Sequence, residues 1–295
     1  MSRTEPTFQD RVVDFAARGF IRAAKMLPYR WRVPAMGWIV SRIAAPLAGW
    51  HRRVRDNLAH VRPDMPKDQV RRMERAVPDN FGRDLIEMYS ADEFRERARS
   101  FQFQGDGVEA LFAARDAKRP VLLITGHFGN YDAPRAALSV NGFPVGGLYN
   151  PMANPLFNEH YVAALGSIAS PVFERSRRGM SGMIRFLRGG GMVGIVVDQY
   201  MKHGETLDFM GQPAKTALSA AELAVKYDAL AIPIYGVRKE NGLDFDLYVE
   251  PPIPHGDPAE MTQAMNDSLG RMVDRFPDQW FWIHRRWKRV RPKKG

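Results

Sequence analysis

The residues best placed to do chemistry lie in Thr125-Gly-His127-Phe-Gly-Asn130-Tyr-Asp132, directly after the apolar run PVLLITG at 120–126. A histidine beside a carboxylate is a general-base arrangement: the carboxylate accepts one imidazole N–H and sets the tautomer. The other ring nitrogen then takes a proton from an attacking hydroxyl. His127 and Asp132 are five residues apart. On a regular helix of about 3.6 residues per turn that spacing separates them by about 140°. They can pair only if His127 sits in a loop before the helix, which Gly126 and Gly129 would let bend. Taken alone, the pattern also fits a buried histidine followed by a helix-start aspartate.

The elements that must position this loop form an alternating series. Short apolar runs at 101–104, 120–126, 143–149, 171–173, 192–197, 231–237 and 245–250 read as strands. Helical patterns at 107–118, 130–140, 155–165, 179–187, 217–227 and 258–275 separate most of them, and two helices are expected over 65–95, the second starting at Pro78–Asp79. The expected fold class is therefore α/β, a mostly parallel central sheet flanked by helices. In such a sheet ligands bind beyond the carboxyl ends of the strands, where His127 falls. Two units are expected: an amphipathic, basic helical segment at 1–60 that associates with a membrane, and an α/β domain at 61–295.

The charge is unevenly placed. The 295 residues carry a net charge of +10. Residues 1–60 hold 11 Lys+Arg against 4 Asp+Glu, and residues 284–295 hold 7 bases and no acid, so each end is +7 and the middle is −4. Between 8 and 27, Arg11, Asp14, Arg18, Arg22 and Lys25 step by three and four, with Phe8, Val12, Phe15, Phe20, Ala23 and Leu27 towards the other side. The stretch 33–50 is apolar but holds Arg42, Pro34 and Pro46. As a helix it would reach only about 27 Å, short of the ~30 Å hydrocarbon core, and a central Arg costs about 2.5–3.5 kcal/mol. It is expected to enter or lie on a bilayer rather than span it. The first 30 residues lack the apolar core of a secretory signal. At the other end Trp280, Trp282 and Trp287 are mixed with Arg285, Arg286, Lys288, Arg289, Arg291, Lys293 and Lys294. Such mixtures can hold single strands of nucleic acid, but an anionic lipid surface, and an acidic carrier protein, fit both ends better. The absence of Cys excludes a disulfide framework, a Cys-based metal site and a thiol nucleophile.

The wider context resembles the late lauroyl/myristoyl acyltransferases of lipid A biosynthesis, within the glycerolipid acyltransferase superfamily, whose mark is His-x4-Asp after an apolar strand. The matching blocks run in order over about 235 residues: Arg53-Val-Arg-Asp-Asn57-Leu58, His127 to Asp132, Tyr149-Asn-Pro151 with Asn154-Pro155, Val197-Asp198-Gln199, Phe209-Met-Gly211-Gln-Pro213-Ala-Lys-Thr216, and Gln279 to Lys288. The resemblance implies acyl transfer from an acyl-carrier-protein or CoA thioester to a hydroxyl of a membrane lipid on the cytoplasmic face of a bacterial inner membrane. It implies no metal, no other cofactor and no covalent acyl-enzyme. It makes His127 the base and Asp132 its orienting acid, and assigns substrate contacts to Gly129, Asn130, Asn150, Asp198, Gln199, Gly211, Thr216, Arg285 and Arg286. Two departures stand out. Asp132 replaces the Glu common in the late lipid A enzymes, and Asn150 replaces an Arg, which suggests a less anionic acceptor. A lysophospholipid or an aminolipid is the second acceptor considered; a hydrolase, or a non-catalytic membrane or nucleic-acid binder, is the reading from another class.

Rival motifs fail on context. Gly189-Gly-Gly191-Met-Val-Gly194 precedes a strand, whereas dinucleotide-binding glycines follow one. Gly179-Met-Ser181-Gly182 lacks the last glycine of a nucleophile elbow. The remaining histidines, at 51, 60, 160, 203, 255 and 284, show no metal spacing, and His284 reads as structural or lipid-facing.

Overall fold

A computed structural model describes residues 5–288; Arg289, Arg291, Lys293 and Lys294 of the basic tail lie outside the described residues. In chain order the helices are α1 (Phe8–Lys25), α2 (Tyr29–Ile39), α3 (Ala45–Leu47), α4 (Trp50–Val61), α5 (Lys67–Met88), α6 (Ala91–Ala98), α7 (Val108–Asp116), α8 (Asp132–Val140), α9 (Pro155–Ile168), α10 (Arg177–Arg188), α11 (Ser219–Lys226) and α12 (Pro258–Arg275). The strands are β1 (Gln102–Gln104), β2 (Val121–Thr125), β3 (Val145–Tyr149), β4 (Val172–Glu174), β5 (Met192–Val196), β6 (Glu205–Phe209), β7 (Gln212–Thr216), β8 (Leu230–Arg238) and β9 (Phe245–Val249). A π turn, Val40–Ala44, joins α2 to α3.

Seven strands form one sheet in the order β1-β9-β8-β2-β5-β3-β4, parallel except where β8 meets β9. The expected α/β class and mostly parallel sheet are present. β2 lies at the centre, buried at all five positions. Its last residue, Thr125, is in register with Val196, the last of β5. The loops leaving these two strands therefore emerge side by side, which brings the segment after 125 next to the segment after 196. β6 and β7 make a separate hairpin through Met210 and Gly211, both at positive φ. The sequence reading had no strands there, although a two-residue turn ending in Gly is a hairpin signal.

The 65–95 region differs from expectation. α5 runs unbroken through Pro78, which is buried inside the helix, instead of restarting there. The reason is packing: α2 and the π turn clamp this stretch. Ser41 donates to the Arg75 carbonyl at 2.8 Å. A Cβ on Gly37 would stand 2.7 Å from Asp79, and one on Gly82 would stand 2.8 Å from the Met36 carbonyl. Two glycines let the helices cross closely enough to offset the hydrogen bond that proline removes.

The first helices show which faces are covered. Val33, Met36, Val40 and Ala45 are buried on the body. α1 turns part of its polar face inward, where Arg18 pairs with Asp14, Asn154 donates to the Asp10 carbonyl and Arg18 reaches the Leu156 carbonyl of α9. Its apolar residues point out: Phe8 is 83% exposed and Phe15 81%. Trp31, Trp38, Ile43 and Leu47 continue the exposed apolar surface. Among the described residues no helix is long and apolar enough to cross a membrane.

Gly82→Ala forces its methyl against backbone and should destabilise by about 1–3 kcal/mol, the cost of overpacking. Thermal unfolding of the variant should show a midpoint several degrees lower; an unchanged midpoint would show that α2 and α5 are not tightly clamped there.

Candidate active site

His127 leaves the carboxyl end of β2 in a sharply bent loop. Gly129 has φ +53, and a Cβ there would fall 1.8 Å from the Gly236 carbonyl, so both conformation and space require glycine. The segment that follows α12 closes over this loop: Gly129 N–H donates to the Gln279 carbonyl at 2.7 Å, and Phe281 N–H to the His127 carbonyl at 2.8 Å.

The carboxylate that meets His127 is Asp198, not Asp132. Asp198 Oδ1 lies 2.8 Å from His127 Nδ1, and Oδ2 accepts the His127 backbone N–H at 2.8 Å and the Trp280 Nε1–H at 2.9 Å. Asp198 is fully buried; burial pushes its carboxyl up, but the His127 ring and these N–H bonds outweigh that and hold it well below the ordinary carboxylate range. An ionised carboxylate can only accept, so Nδ1 carries a proton, and in the neutral ring Nε2 is the nitrogen that keeps its lone pair.

Asp132 is the first residue of α8, and its carboxylate turns one helical turn forward to pair with Arg135. Arg135 is anchored on the Ala169 carbonyl at 2.8 Å. The expected His127–Asp132 hydrogen bond is therefore replaced by His127–Asp198, because Asp132, already the first residue of α8, is held by Arg135 one turn on. Asp132 still lines the cleft beside His127.

The other sequence-assigned residues divide. Gly129 and Asn130 line the His127 cleft, but the Asn130 side chain is spent on Glu87 at 2.8 Å and on the Asp132 N–H. Asn150 and Gln199 line an adjoining cavity of about 290 Å³ that also reaches His127. Gly211 is the turn of the β6–β7 hairpin, and Thr216 is buried at its end; neither lines the cleft. Arg285 is exposed, and Arg286 is buried against the hairpin, bonded to the Lys215 carbonyl and Thr216. Nor do the loop amides form a ready oxyanion hole, since those of His127, Phe128, Gly129 and Asn130 all donate within the protein.

Sequence reasoning missed three contributors. His284 stacks edge-on at 4.5 Å between ring centroids from His127. Burial, reinforced by the positive field of His127, lowers its pKa to about 4, so it is neutral near pH 7. Trp280, expected with the terminal basic residues at a lipid surface, is the third donor to Asp198. Arg238, at the end of β8, is buried with Glu87 at 2.6 Å and Asp84 at 2.6 Å and holds Asn80 at 2.7 Å. Asn80 in turn donates to the Gly129 carbonyl at 2.8 Å. That network fixes the underside of the His127 loop. His127, Asp198 and His284 offer ligand atoms within 4.8 Å of one another, the donor set of a metal site, but both Asp198 oxygens already accept N–H bonds.

The main cavity beside His127 holds about 460 Å³ and is mostly apolar, walled by Val77, Phe81 and Met88 of α5, Phe157 and Tyr161 of α9, and Phe281. Burial keeps the hydroxyls of Tyr131 and Tyr161 protonated, the latter's pKa pushed up to about 12. A base poised at the mouth of an apolar cavity can deprotonate a hydroxyl beside a bound hydrocarbon chain.

The chain is similar to known acyltransferases. The family model for bacterial lipid A biosynthesis acyltransferases matches residues 4–289. A lipid A biosynthesis lauroyltransferase of Escherichia coli K12 is 28% identical over 81% of this chain and 79% of its own length. A lipid A biosynthesis palmitoleoyltransferase of the same bacterium is 24% identical over 89% and 86%. A phosphatidylinositol mannoside acyltransferase of Mycobacterium tuberculosis is 24% identical over 81% and 78%.

The lowered pKa of His284 has a consequence for stability. The unfolded side chain titrates near 6.5 and the folded one near 4, so between those values the unfolded state binds more protons. Stability should fall as pH drops from about 6.5 to about 4. Urea unfolding across that window should show the loss, and His284→Gln should flatten it; an equally steep decline in the variant would place the titration elsewhere.

Proposed function

Because this chain belongs to the bacterial lipid A biosynthesis acyltransferase family, and is an acyltransferase, we propose that it moves a fatty acyl chain from an acyl-carrier-protein or CoA thioester to a hydroxyl of a lipid A precursor. The observation that carries the reading is the His127–Asp198 pair at the mouth of the apolar cavity. The acyl chain lies in that cavity. His127 Nε2 takes the proton of the acceptor hydroxyl as its oxygen bonds to the thioester carbonyl carbon. The tetrahedral adduct collapses, the C–S bond breaks, and the imidazolium returns its proton to the departing thiolate. Asp198 holds the tautomer and offsets the charge that His127 gains. Neutral His284 supports this, since a second imidazolium beside His127 would oppose its protonation. Asp132 and Arg135 line the adjoining cavity. No metal or further cofactor takes part.

The enzyme sits on the cytoplasmic face of the inner membrane, peripheral or monotopic. The outward apolar residues of α1 and the 31–47 stretch support this, since apolar helix residues with basic neighbours bind at a lipid interface. α9 supplies Phe157 and Tyr161 to the cavity while touching α1, so the cavity lies close to the surface where a membrane-borne acceptor would arrive. Nucleic acid is not a partner. A second acceptor, another glycolipid or a lysolipid, is favoured by the matches to phosphatidylinositol mannoside acyltransferases and by Asn150 in place of an arginine. Lipid mass spectrometry of a strain lacking the protein would name the acceptor as the species that loses one acyl chain.

With labelled acyl-carrier protein as donor, His127→Ala should lower turnover by about 10²–10⁴-fold, the range for loss of a general base. Asp198→Asn should cost more than Asp132→Asn; the reverse order, or undiminished transfer by His127→Ala, would sink the assignment. Replacing Phe8 and Phe15 with Ser should weaken vesicle cosedimentation about tenfold or more, given about 1.5–3 kcal/mol per buried aromatic. Unaltered binding would exclude α1 from the interface.

A further inference from the structure

Arg286 is 0% exposed and has no carboxylate partner among the described residues. Its guanidinium bonds to neutral oxygens, the Lys215 carbonyl at 2.8 Å, Thr216 Oγ1 at 2.6 Å and Asn266 Oδ1 at 3.5 Å, and lies 5.2 Å over the Phe209 ring, with Nε unpartnered. A buried cation without a directly bonded carboxylate is costly, and such groups are normally paired. Burial draws its pKa down to about 10, against the opposing pull of the more distant Asp198 carboxylate.

Arg286 lies beneath a cavity of about 650 Å³ on the hairpin side of the 282–288 segment, away from the His127 cleft. Lys215 and Lys288 also line it; neither has an ion pair among the described residues, and Lys288 lies 4.7 Å over the Tyr200 ring. Trp287 lines it too, and its buried indole N–H has no acceptor. The single carboxylate in the lining, Asp56, is drawn towards Arg52 at 3.7 Å. Three cations and a spare N–H donor thus surround a space with almost no negative charge.

We propose that this cavity is a phosphate-binding subsite, in which Lys215, Lys288 and the underlying Arg286 hold a phosphate ester. Phosphate fits better than a carboxylate: it carries up to two charges and more acceptor oxygens, matching three cations and the Trp287 N–H. If the acyl-transfer reading holds, the phosphate has two possible sources, the phosphopantetheine arm of a thioester donor or a phosphate on the lipid acceptor. The binding itself does not depend on that reading.

The test is calorimetry on the full chain in detergent with two matched pairs of probes. One pair is 4′-phosphopantetheine against pantetheine; the other is a short-chain phosphatidic acid against the corresponding diacylglycerol. The phosphate-bearing member of at least one pair should bind about tenfold or more tightly than its counterpart, as expected when charge-assisted hydrogen bonds are added. The pair that shows the preference identifies the source. Lys215→Ala/Lys288→Ala, which alters only the rim, should erase the preference, with circular dichroism confirming the fold; Arg286→Gln should do the same if it folds. Equal binding within both pairs, or a preference that survives the rim variant, overturns the proposal. Since the readout is binding rather than turnover, an inactive His127 would not mimic that failure.

Discussion

The buried Asp198 carboxylate, accepting three N–H bonds from His127 and Trp280, is the interaction on which the site depends. It lies just beyond the end of β5 and joins three pieces of chain far apart in sequence: the loop after β2, the loop after β5 and the segment after α12. An ionised carboxylate deep in a protein persists only where hydrogen bonds replace water. Each of its donors is therefore held by a demand of burial as well as by any catalytic use. The same three bonds orient the imidazole, set its tautomer and seal the Trp280 segment over the loop.

Around this centre, rigidity and adaptability are distributed unequally. The Arg238, Glu87, Asp84 and Asn80 network holds the loop from below, and close helix crossing at Gly37 and Gly82 holds α5, the wall of the apolar cavity. Above the cavity, α1 touches the body largely through polar contacts to α9 and leaves its aromatic residues outside. The helix contacts protein through a polar face and leaves the apolar residues Phe8 and Phe15 exposed. The charge follows the same plan: cations near the apolar surface, and uncompensated cations behind the 282–288 segment.

Much of the fold was legible in the sequence because short apolar runs alternating with amphipathic stretches have few solutions other than a parallel sheet covered by helices. The strand after which His127 falls, its glycine-bent loop and the helix beginning near Asp132 all follow from local pattern. The unbroken α5 was not legible: Pro78 is locally a helix breaker, and only its packing against α2 decides otherwise. The β6–β7 hairpin escaped because its strands carry polar and proline residues. They pair with each other and not with the main sheet, so no long apolar run marks them.

The sequence by itself determined the fold class, the family and the bent loop that carries His127, since these rest on residue types and on spacings short enough for local geometry to govern. It could not determine which acid serves that histidine. Asp132 is five residues away and Asp198 is seventy-one, yet a helix start turns the first towards Arg135. The adjacency of β2 and β5, a property of sheet order, brings the second to 2.8 Å. The same holds for His284 and Arg286, which are neighbours in the chain's basic terminus. Tertiary packing sends one to the edge of the His127 ring and the other, without a directly bonded carboxylate, into the base of a separate cavity. Spacing along a chain specifies contacts within a turn or a loop; contacts between the ends of different strands exist only once the sheet has chosen its order.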